Sequence, residues 1–261
     1  MKLSENSKEW IRLDTAESTN DFLLNGRDFP SGTVVLAEEQ TKGKGRLDRS
    51  WLSLRGKGLL FSGLISFRLN ELPLEKLRFL PLLCGLSVLK TSQEFLEQNT
   101  EENKTILSVK WPNDVYLTRK GKTGKLAGIL VETETGDGQN LRGVIGVGMN
   151  LTAAPELPDQ KIMPVSLYEN GDLPQEVFAV TLVRYINLYL RKLSEDNIKE
   201  ELEEIRRYFF LKGRRISIAG ESFVVDGMND DGGLLLNCPV RDETRILYDT
   251  SQEILLDEVS V

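Results

Sequence analysis

The chain has 261 residues, of which 40% are apolar, and its net charge is −7 at neutral pH. A chain of this size can bury a substantial core, and its acidic balance argues against broad attraction to nucleic acid or anionic lipid. It contains no histidine, which excludes catalysis by a histidine base and the commonest zinc ligand.

Two further features bound the cellular setting. No run of the sequence approaches the roughly 20 apolar residues of a membrane span, and the start at Met1 lacks the apolar core of a secretory signal. We therefore expect a cytoplasmic protein. Cys84 and Cys238 are far apart in apolar surroundings, which favours reduced structural thiols over a disulfide or a redox site.

The hydrophobic pattern predicts an α+β chain in which short strands alternate with helices up to about residue 211. In chain order the predicted elements are a helix over 18–25, strands over 34–37 and 59–65, a helix over 74–97, strands over 106–110, 115–117, 125–132 and 144–150, and helices over 175–193 and 197–209. Ser18 or Thr19 would cap the first helix, and Pro81 would kink or restart the second.

The last predicted helix and the region after it have distinct patterns. Residues Ile198, Leu202, Ile205 and Phe209 recur at helical spacing and would form a buried stripe. Beyond residue 212, short alternating strands around a turn at 230–233 predict a small β-barrel. About fifty residues bury too little surface to be stable alone, so the barrel should pack against the main body.

A glycine-rich stretch at residues 43–51 is the first candidate for chemistry. Glycine N–H groups can form an anion cradle, and Lys44, Arg46 and Arg49 add positive charge. The alternative is a solvated, flexible surface turn. If the loop is functional, phosphate or carboxylate is its natural ligand.

Three other clusters are individually weak signals. Residues 110–114 place a cation, an amide and a carboxylate after a strand, although the same pattern suits an ordinary β-turn. The strand at 125–132 begins with Lys125 and carries Gly128, where a ligand could approach the backbone. Residues 146–150 read Gly-Val-Gly-Met-Asn, and a Gly-x-Gly pattern without a following helix is a weak nucleotide signal.

Taken in order, five segments resemble the motifs of the biotin protein ligase family: residues 17–20, 43–51, 110–114, 125–132 and 146–150. The resemblance covers residues 12–255 and implies two domains. A mixed-sheet catalytic domain of the biotin/lipoate ligase type would occupy 1–211, and a small SH3-like β-barrel would occupy 212–261. The motifs begin at Asp14, which leaves no room for the DNA-binding domain of some members and implies the monofunctional class, with neither DNA nor membrane as partner.

The resemblance implies a two-step reaction that uses ATP, Mg²⁺ and biotin. Biotin would be activated to biotinyl-5′-AMP and then passed to one lysine of the biotin carboxyl carrier domain of a carboxylase. Lys125 would bridge the biotin carboxylate and the α-phosphate, and Arg46 would close with its loop over the adenylate. Asp114, the third catalytic candidate, would either ligate magnesium or accept the proton of the incoming lysine, and the sequence leaves the two roles open.

The resemblance also assigns the binding residues. The expected biotin-binding residues are Ser18, Thr19, Asn20, Gln40, Gly43, Lys44, Gly45, Arg46, Lys125 and Gly128. The expected ATP-binding residues are Arg46, Arg49, Trp51, Asn113, Lys125 and Asn150. The family's loop often reads Gly-Arg-Gly-Arg-Arg-Gly-Arg, whereas this chain has Lys44, Leu47 and Asp48 at three of these positions. We expect the negative charge of Asp48 to act on loop closure or adenylate retention, and the departures to change affinity more than activity.

Three other functions compete with this hypothesis. A lipoate or octanoate ligase would share the fold and the acyl-adenylate chemistry, but the polar set Ser18, Thr19 and Gln40 favours the ureido ring of biotin. A noncatalytic biotin-binding module would not need Lys125 and Arg46. An octanoyl transferase would need an activated cysteine nucleophile, and neither Cys84 nor Cys238 lies beside a motif that could activate it. The acceptor carboxylase and the pairing of two copies into a homodimer stay open.

Overall fold

The computed structural model describes residues 1–97, 105–135, 140–157, 162–169, 173–239, 241, 243–248 and 254–256. Within these ranges the chain forms a seven-stranded sheet, a five-stranded sheet and four α-helices.

The first sheet is mixed. Its strands are β1 (Ile11–Ala16), β2 (Val34–Gln40), β3 (Gly58–Arg68), β4 (Ile106–Lys110), β5 (Asp114–Arg119), β6 (Lys122–Thr135) and β7 (Asn140–Asn150). They lie in the order β1-β2-β3-β7-β6-β5-β4. β1 and β2 are parallel and the other pairs are antiparallel, including the sequential pairs β4–β5, β5–β6 and β6–β7.

The helices are α1 (Thr19–Asn25), α2 (Phe79–Glu97), α3 (Gln175–Ser194) and α4 (Lys199–Arg207). Ser18 caps α1 by accepting a hydrogen bond from the Asp21 amide, as predicted. A 3₁₀ turn at Leu74–Arg78 precedes α2, so the predicted helix restarts at Phe79. Pro81 is the third residue of α2, where a missing N–H removes no intrahelical bond.

The two faces of the sheet are separated by the alternation of side chains along each strand. In β3, Leu59, Phe61 and Ile65 belong to the main core with α2 and α3. Leu60 and Leu64 point to the other face, where Leu64 packs beside Leu23 of α1. Even-numbered residues of β3 and β7, and of β6 from Gly128 onward, therefore share the face that carries α1.

The second sheet is antiparallel and lies at the C-terminal end. Its strands are β8 (Arg215–Ile218), β9 (Glu221–Met228), β10 (Leu234–Cys238), β11 (Glu243–Leu247) and β12 (Leu255–Leu256), in the order β11-β10-β9-β8-β12. The small C-terminal β-unit is thus present, but in the described residues it is an open sheet and not a closed barrel. It shares the main core through Ile216 and Leu234, and the Trp111 indole donates a 2.9 Å hydrogen bond to the Gly232 carbonyl.

Both cysteines are free and buried, as predicted. Burial raises the pKa of Cys84 to about 12, so this thiol stays protonated and unreactive at neutral pH. Among the described helices, none is sufficiently long and apolar to cross a membrane.

Candidate active site

A cleft opens on the α1 face of the first sheet, with about 490 Å³ of empty space that includes volume open to solvent. Eleven of the predicted site residues line it: Ser18, Thr19, Asn20, Gln40, Lys44, Gly45, Arg46, Trp51, Asn113, Lys125 and Gly128. Gly43 and Arg49 line a wider opening beneath the glycine-rich loop. Asp114 lies behind Lys125, and Asn150 is buried beside the cleft without lining it.

Strand register explains why distant motifs meet here. Ala16 at the end of β1 lies opposite Gln40 at the end of the parallel strand β2, so Thr19 on the following helix reaches Gln40. Gly128 on β6 lies opposite Gly148 on β7, and both face the α1 side. Sequence motifs at strand ends and at even positions therefore converge on one cleft.

The glycine-rich loop is a short hairpin. The Trp51 amide donates to the Gly43 carbonyl at 2.8 Å, and the Gly45 amide donates to the Arg49 carbonyl at 2.6 Å. The predicted backbone cradle is therefore not available at Gly45, whose N–H is used inside the loop. The tip residues Leu47 and Asp48 both have a φ of 56°, the left-handed conformation that glycine and asparagine adopt most easily.

The strained tip yields a testable prediction. Asp48→Gly should relieve the left-handed strain and hold the hairpin closed more of the time. We expect tryptic cleavage after Arg46 and Arg49 to slow by roughly threefold. Asp48→Asn, which removes the charge but tolerates the conformation, should have a smaller effect. Equal or faster cleavage in the glycine variant would contradict the strain assigned to this turn.

An ion pair connects the loop to α1. The Lys44 ammonium lies 2.6 Å from a carboxylate oxygen of Asp21, one turn below the cap residue Ser18. The hydrogen bond to Asp21 raises the pKa of Lys44, and this outweighs the lowering by burial. Lys44 therefore has a specific partner in Asp21, at a position where the family's loop often has arginine. Asp21 was not among the predicted site residues.

One end of the cleft carries a connected set of polar side chains, which we call the polar cluster: Thr19, Asn20, Gln40, Ser62 and Glu132. The Gln40 Oε1 atom accepts hydrogen bonds from the Thr19 amide at 2.7 Å and the Thr19 hydroxyl at 2.9 Å. Asn20 Nδ2 donates to Glu132 Oε2 at 2.7 Å, and Ser62 Oγ lies 2.6 Å from Asn20 Oδ1. Each amide orientation is thereby fixed.

The sequence prediction missed Ser62 and Glu132. Ser62 interrupts the apolar run 59–65, and a fully buried hydroxyl within such a run is a signal that could have been used. Glu132 ends the motif 125–132, but nothing local indicates that it bonds Asn20, 112 residues away.

The other end of the cleft is positively charged. The Lys125 ammonium lies 2.7 Å from Asp114 Oδ1 and 5.6 Å from the centre of the Trp51 ring. Lys125 is the fourth residue of β6, not its first, and the pairing with β5 shifts register around Leu126. This irregularity re-aims the side chain next to it, as β-bulges near functional sites commonly do.

The indole of Trp51 covers the glycine pair of β6 and β7. A Cβ atom on Gly148 would lie 2.5 Å from the ring, and one on Gly128 would lie 3.2 Å from it. Larger residues at either position would displace the indole. Its Nε1 atom is buried and has no hydrogen-bond partner among the described residues, so it fits an acceptor atom of a ligand.

The two asparagines predicted to bind ATP differ in position. Asn113 lines the cleft, and its amide donates to the Ile129 carbonyl at 2.8 Å. Asn150 is 2% exposed and donates to the Val165 carbonyl at 3.2 Å. Asn150 thus holds the segment 163–165, which in turn pairs with the backbone of Lys125.

Asp114 is held ionised. Burial by itself raises the pKa of Asp114, but the charges of Lys125 and Lys110, the hydrogen bond from Lys125 and the charge of Arg49 together lower it below its ordinary value. A carboxylate with a lowered pKa is a weak base, which disfavours Asp114 as a proton acceptor. The ammonium groups of Lys125 and Lys110 lie 2.7 Å and 3.8 Å from its oxygens.

The same observations test Asp114 as a magnesium ligand. Its charge is already compensated by two lysines, and a metal would have to displace them. In the described part of the chain, no group of three His, Cys, Asp or Glu side chains is arranged to hold a metal ion. Asp114 does not fit a direct Mg²⁺ site in this arrangement.

The lowered pKa of Asp114 predicts how its contribution depends on pH. The unfolded chain binds the proton more readily than the folded one, so this contribution is complete above about pH 4 and is lost as the pH falls through the folded pKa. Asp114→Asn should lower the free energy of unfolding by about 1–3 kcal/mol at neutral pH. Denaturant titrations should show the difference shrinking below about pH 4, and a difference independent of pH would contradict the assignment.

Comparison with known proteins identifies the family. Residues 12–150 match the model of the biotin/lipoate A/B protein ligase family. The chain belongs to this family. One relative is the biotin--[acetyl-CoA-carboxylase] ligase of Mycobacterium tuberculosis, which is 35% identical over 58% of this chain and 53% of the relative. Another is the bifunctional ligase/repressor BirA of Bacillus subtilis, which is 32% identical over 70% of this chain and 52% of the relative. The chain thus spans about half the length of these relatives.

Solved structures of family members have the same fold. Biotin protein ligase from Aquifex aeolicus, in complex with biotin and ATP, superposes with a TM-score of 0.75 at 28% identity, over 96% of this chain and 100% of the other. The apo structure from the same organism gives a TM-score of 0.72 at 25% identity. The mixed-sheet fold predicted from the motifs is therefore confirmed.

Proposed function

We propose that the chain is a cytoplasmic biotin protein ligase that activates biotin with ATP and transfers it to a lysine of a biotin carboxyl carrier domain. The observation that carries the proposal is the pairing, in one cleft, of a hydrogen-bonding end with a positively charged end. The family includes both biotin and lipoate ligases, so the polar cluster must discriminate between these acids.

The polar cluster presents one donor and one acceptor side by side. The Thr19 amide can only donate, so the atom of Gln40 that faces it is the oxygen, and Gln40 Nε2 is left to donate elsewhere. The Thr19 hydroxyl gives its hydrogen to Gln40 and keeps lone pairs for a ligand. This pattern matches the adjacent N–H and C=O of a cyclic urea, whereas the dithiolane of lipoate has neither group.

The positively charged end of the cleft suits a reaction between two anions, the biotin carboxylate and ATP. A biotin carboxylate oxygen would attack the α-phosphorus of ATP, the bond to the β-phosphate would break, and pyrophosphate would leave. Lys125 and Arg46 would offset the negative charge that accumulates between the reactants. In the second step the neutral amine of the acceptor lysine would attack the acyl carbon, the bond from that carbon to the phosphate oxygen would break, AMP would leave, and the amine proton would pass to solvent.

The remaining residues would position the nucleotide. Trp51 and Asn113 line the cleft, with the centre of the Trp51 ring 5.6 Å from the Lys125 ammonium, and Arg49 belongs to the glycine-rich loop. We assign Asp114 to orienting Lys125, since the two groups lie 2.7 Å apart. Magnesium would enter on the phosphates of ATP, whose oxygens it prefers. Asn150 would act through the segment 163–165 and not through contact with ATP.

The domain division is part of the proposal. Residues 1–211 would form the catalytic domain and residues 212–261 the C-terminal domain. The Aquifex aeolicus enzyme, with biotin and ATP bound, matches this chain along 96% of its length, which supports an enzyme of the same plan.

The test is a transfer assay read by mass. The chain is incubated with ATP, Mg²⁺, a biotin carboxyl carrier domain and either biotin or lipoate. We expect the acceptor to gain the mass of one biotinyl group, with no gain from lipoate. A mass gain from lipoate alone would assign the chain to the other branch of the family. No gain from either acid would refute the ligase activity.

A further inference from the structure

We propose that Glu132 is a positioning residue that fixes the hydrogen-bond polarity of the cleft and thereby its affinity for biotin. The inference rests on the proposed function. Glu132 holds Asn20, Asn20 competes for the hydrogen of the Ser62 hydroxyl, and that competition sets how much acceptor capacity Thr19 keeps for the ligand.

The orientation of Asn20 is set by two groups that only accept hydrogen bonds. Its Nδ2 atom lies 2.7 Å from Glu132 Oε2 and 3.3 Å from the Leu130 carbonyl. Its Oδ1 atom therefore faces Ser62. The amide also lies close against β7, because a Cβ on Gly146 would be 2.4 Å from Asn20 Oδ1. Asn20 thus has no donor left for a ligand and serves to support its neighbours.

The fixed amide dictates the state of Ser62. A serine hydroxyl has one hydrogen, and Asn20 Oδ1 accepts it at 2.6 Å. Thr19 Oγ1 lies 2.8 Å from the same hydroxyl, also at donating distance, so Asn20 and Thr19 compete for one hydrogen and Asn20 holds the shorter contact. The hydrogen of Thr19 points to Gln40 Oε1, which leaves its two lone pairs for Ser62 and for an N–H group in the cleft. The competing pull of Asn20 on the Ser62 hydrogen increases the share left for the ligand.

Loss of the Glu132 carboxylate would remove the shorter of the two bonds that hold Asn20. The amide could then turn over and donate to Ser62, whose hydrogen would move to Thr19 Oγ1. Ser62 would then fully occupy one of the two Thr19 lone pairs, and the hydroxyl would be a poorer acceptor for the urea N–H. Ser62 is fully buried, so water cannot easily compensate.

The experiment compares Glu132→Ala, Glu132→Gln and the matched control Glu134→Ala. Glu134 lies two residues further along β6 and pairs with Arg142, outside the polar cluster. Biotin-dependent exchange of pyrophosphate into ATP gives KM for each substrate, and thermal unfolding reports folding. We expect Glu132→Ala to raise the KM for biotin roughly 5- to 10-fold, with the KM for ATP and the Tm little changed.

Glu132→Gln should restore the KM for biotin to within about twofold of wild type, because its side-chain oxygen can accept from Asn20. The Glu134→Ala control should match wild type. An unchanged KM for biotin in Glu132→Ala, an equal rise in both KM values, or a glutamine variant as impaired as the alanine variant would overturn the inference. Absence of biotin-dependent exchange in the wild-type chain would instead refute the proposed function, so the two failures are distinguishable.

Discussion

Lys125→Ala should lower biotin-dependent exchange of pyrophosphate into ATP by about 1,000-fold. Lys125 is the cation best placed to lie between a carboxylate and an α-phosphate, since its ammonium projects into the cleft 5.6 Å from the Trp51 ring. Its removal also leaves Asp114 without its nearest counter-charge, at 2.7 Å. The loss should appear mainly in kcat, because charge accumulates in the transition state.

The matched control for this prediction is Lys122→Ala. Lys122 is exposed and lies on the same strand, at its first residue. It should retain exchange within about twofold of wild type, because a surface charge this far from the cleft is screened. Exchange by Lys125→Ala at a rate near that of wild type would remove Lys125 from the chemistry and transfer the role to Arg46 or Lys110.

Gly148→Ala should have the second-largest effect. The added methyl group would lie 2.5 Å from the Trp51 indole, which must then move off β7. Because the indole is proposed to contact the nucleotide, we expect kcat/KM for ATP to fall at least about 10-fold and biotin binding to change less. Trp51 fluorescence, with Trp51→Phe as the blank, should report the displaced ring.

Gly143→Ala controls for glycine replacement within β7. There the nearest atom to an added Cβ is a side-chain carbon of Ile65 at 3.3 Å. The near neighbours of that Cβ include no residue that is proposed to bind a ligand. We expect near-normal kinetics from this variant. Normal ATP kinetics in Gly148→Ala, with an unchanged emission spectrum, would show that Trp51 does not depend on the glycine pair.

Elements with a continuous hydrophobic pattern could be predicted from the sequence. The stripe of Ile198, Leu202, Ile205 and Phe209 is buried as expected, and the strand at 106–110 has the predicted bounds. β1 was missed because only Ala16 of its six residues is buried, so it shows neither an apolar run nor full alternation.

The candidate site was predictable where motifs are local and not where distant segments meet. Thr19, Gln40 and Lys125 reach one cleft as the motifs indicated. The contact of Ser62 and Glu132 with Asn20 joins β3 and β6 to α1, and a single sequence carries no signal for such pairings. The irregularity at Leu126 and the position of Trp51 over Gly148 likewise depend on register between strands, which local patterns do not encode.

A crystal structure of the chain with biotin and a non-hydrolysable ATP analogue tests the central claim most directly. The account predicts the ureido ring against Thr19 and Gln40, and the carboxylate and the α-phosphate within hydrogen-bond distance of the Lys125 ammonium. Ligands bound in the reverse orientation, or away from the cleft between α1 and the glycine-rich loop, would contradict it.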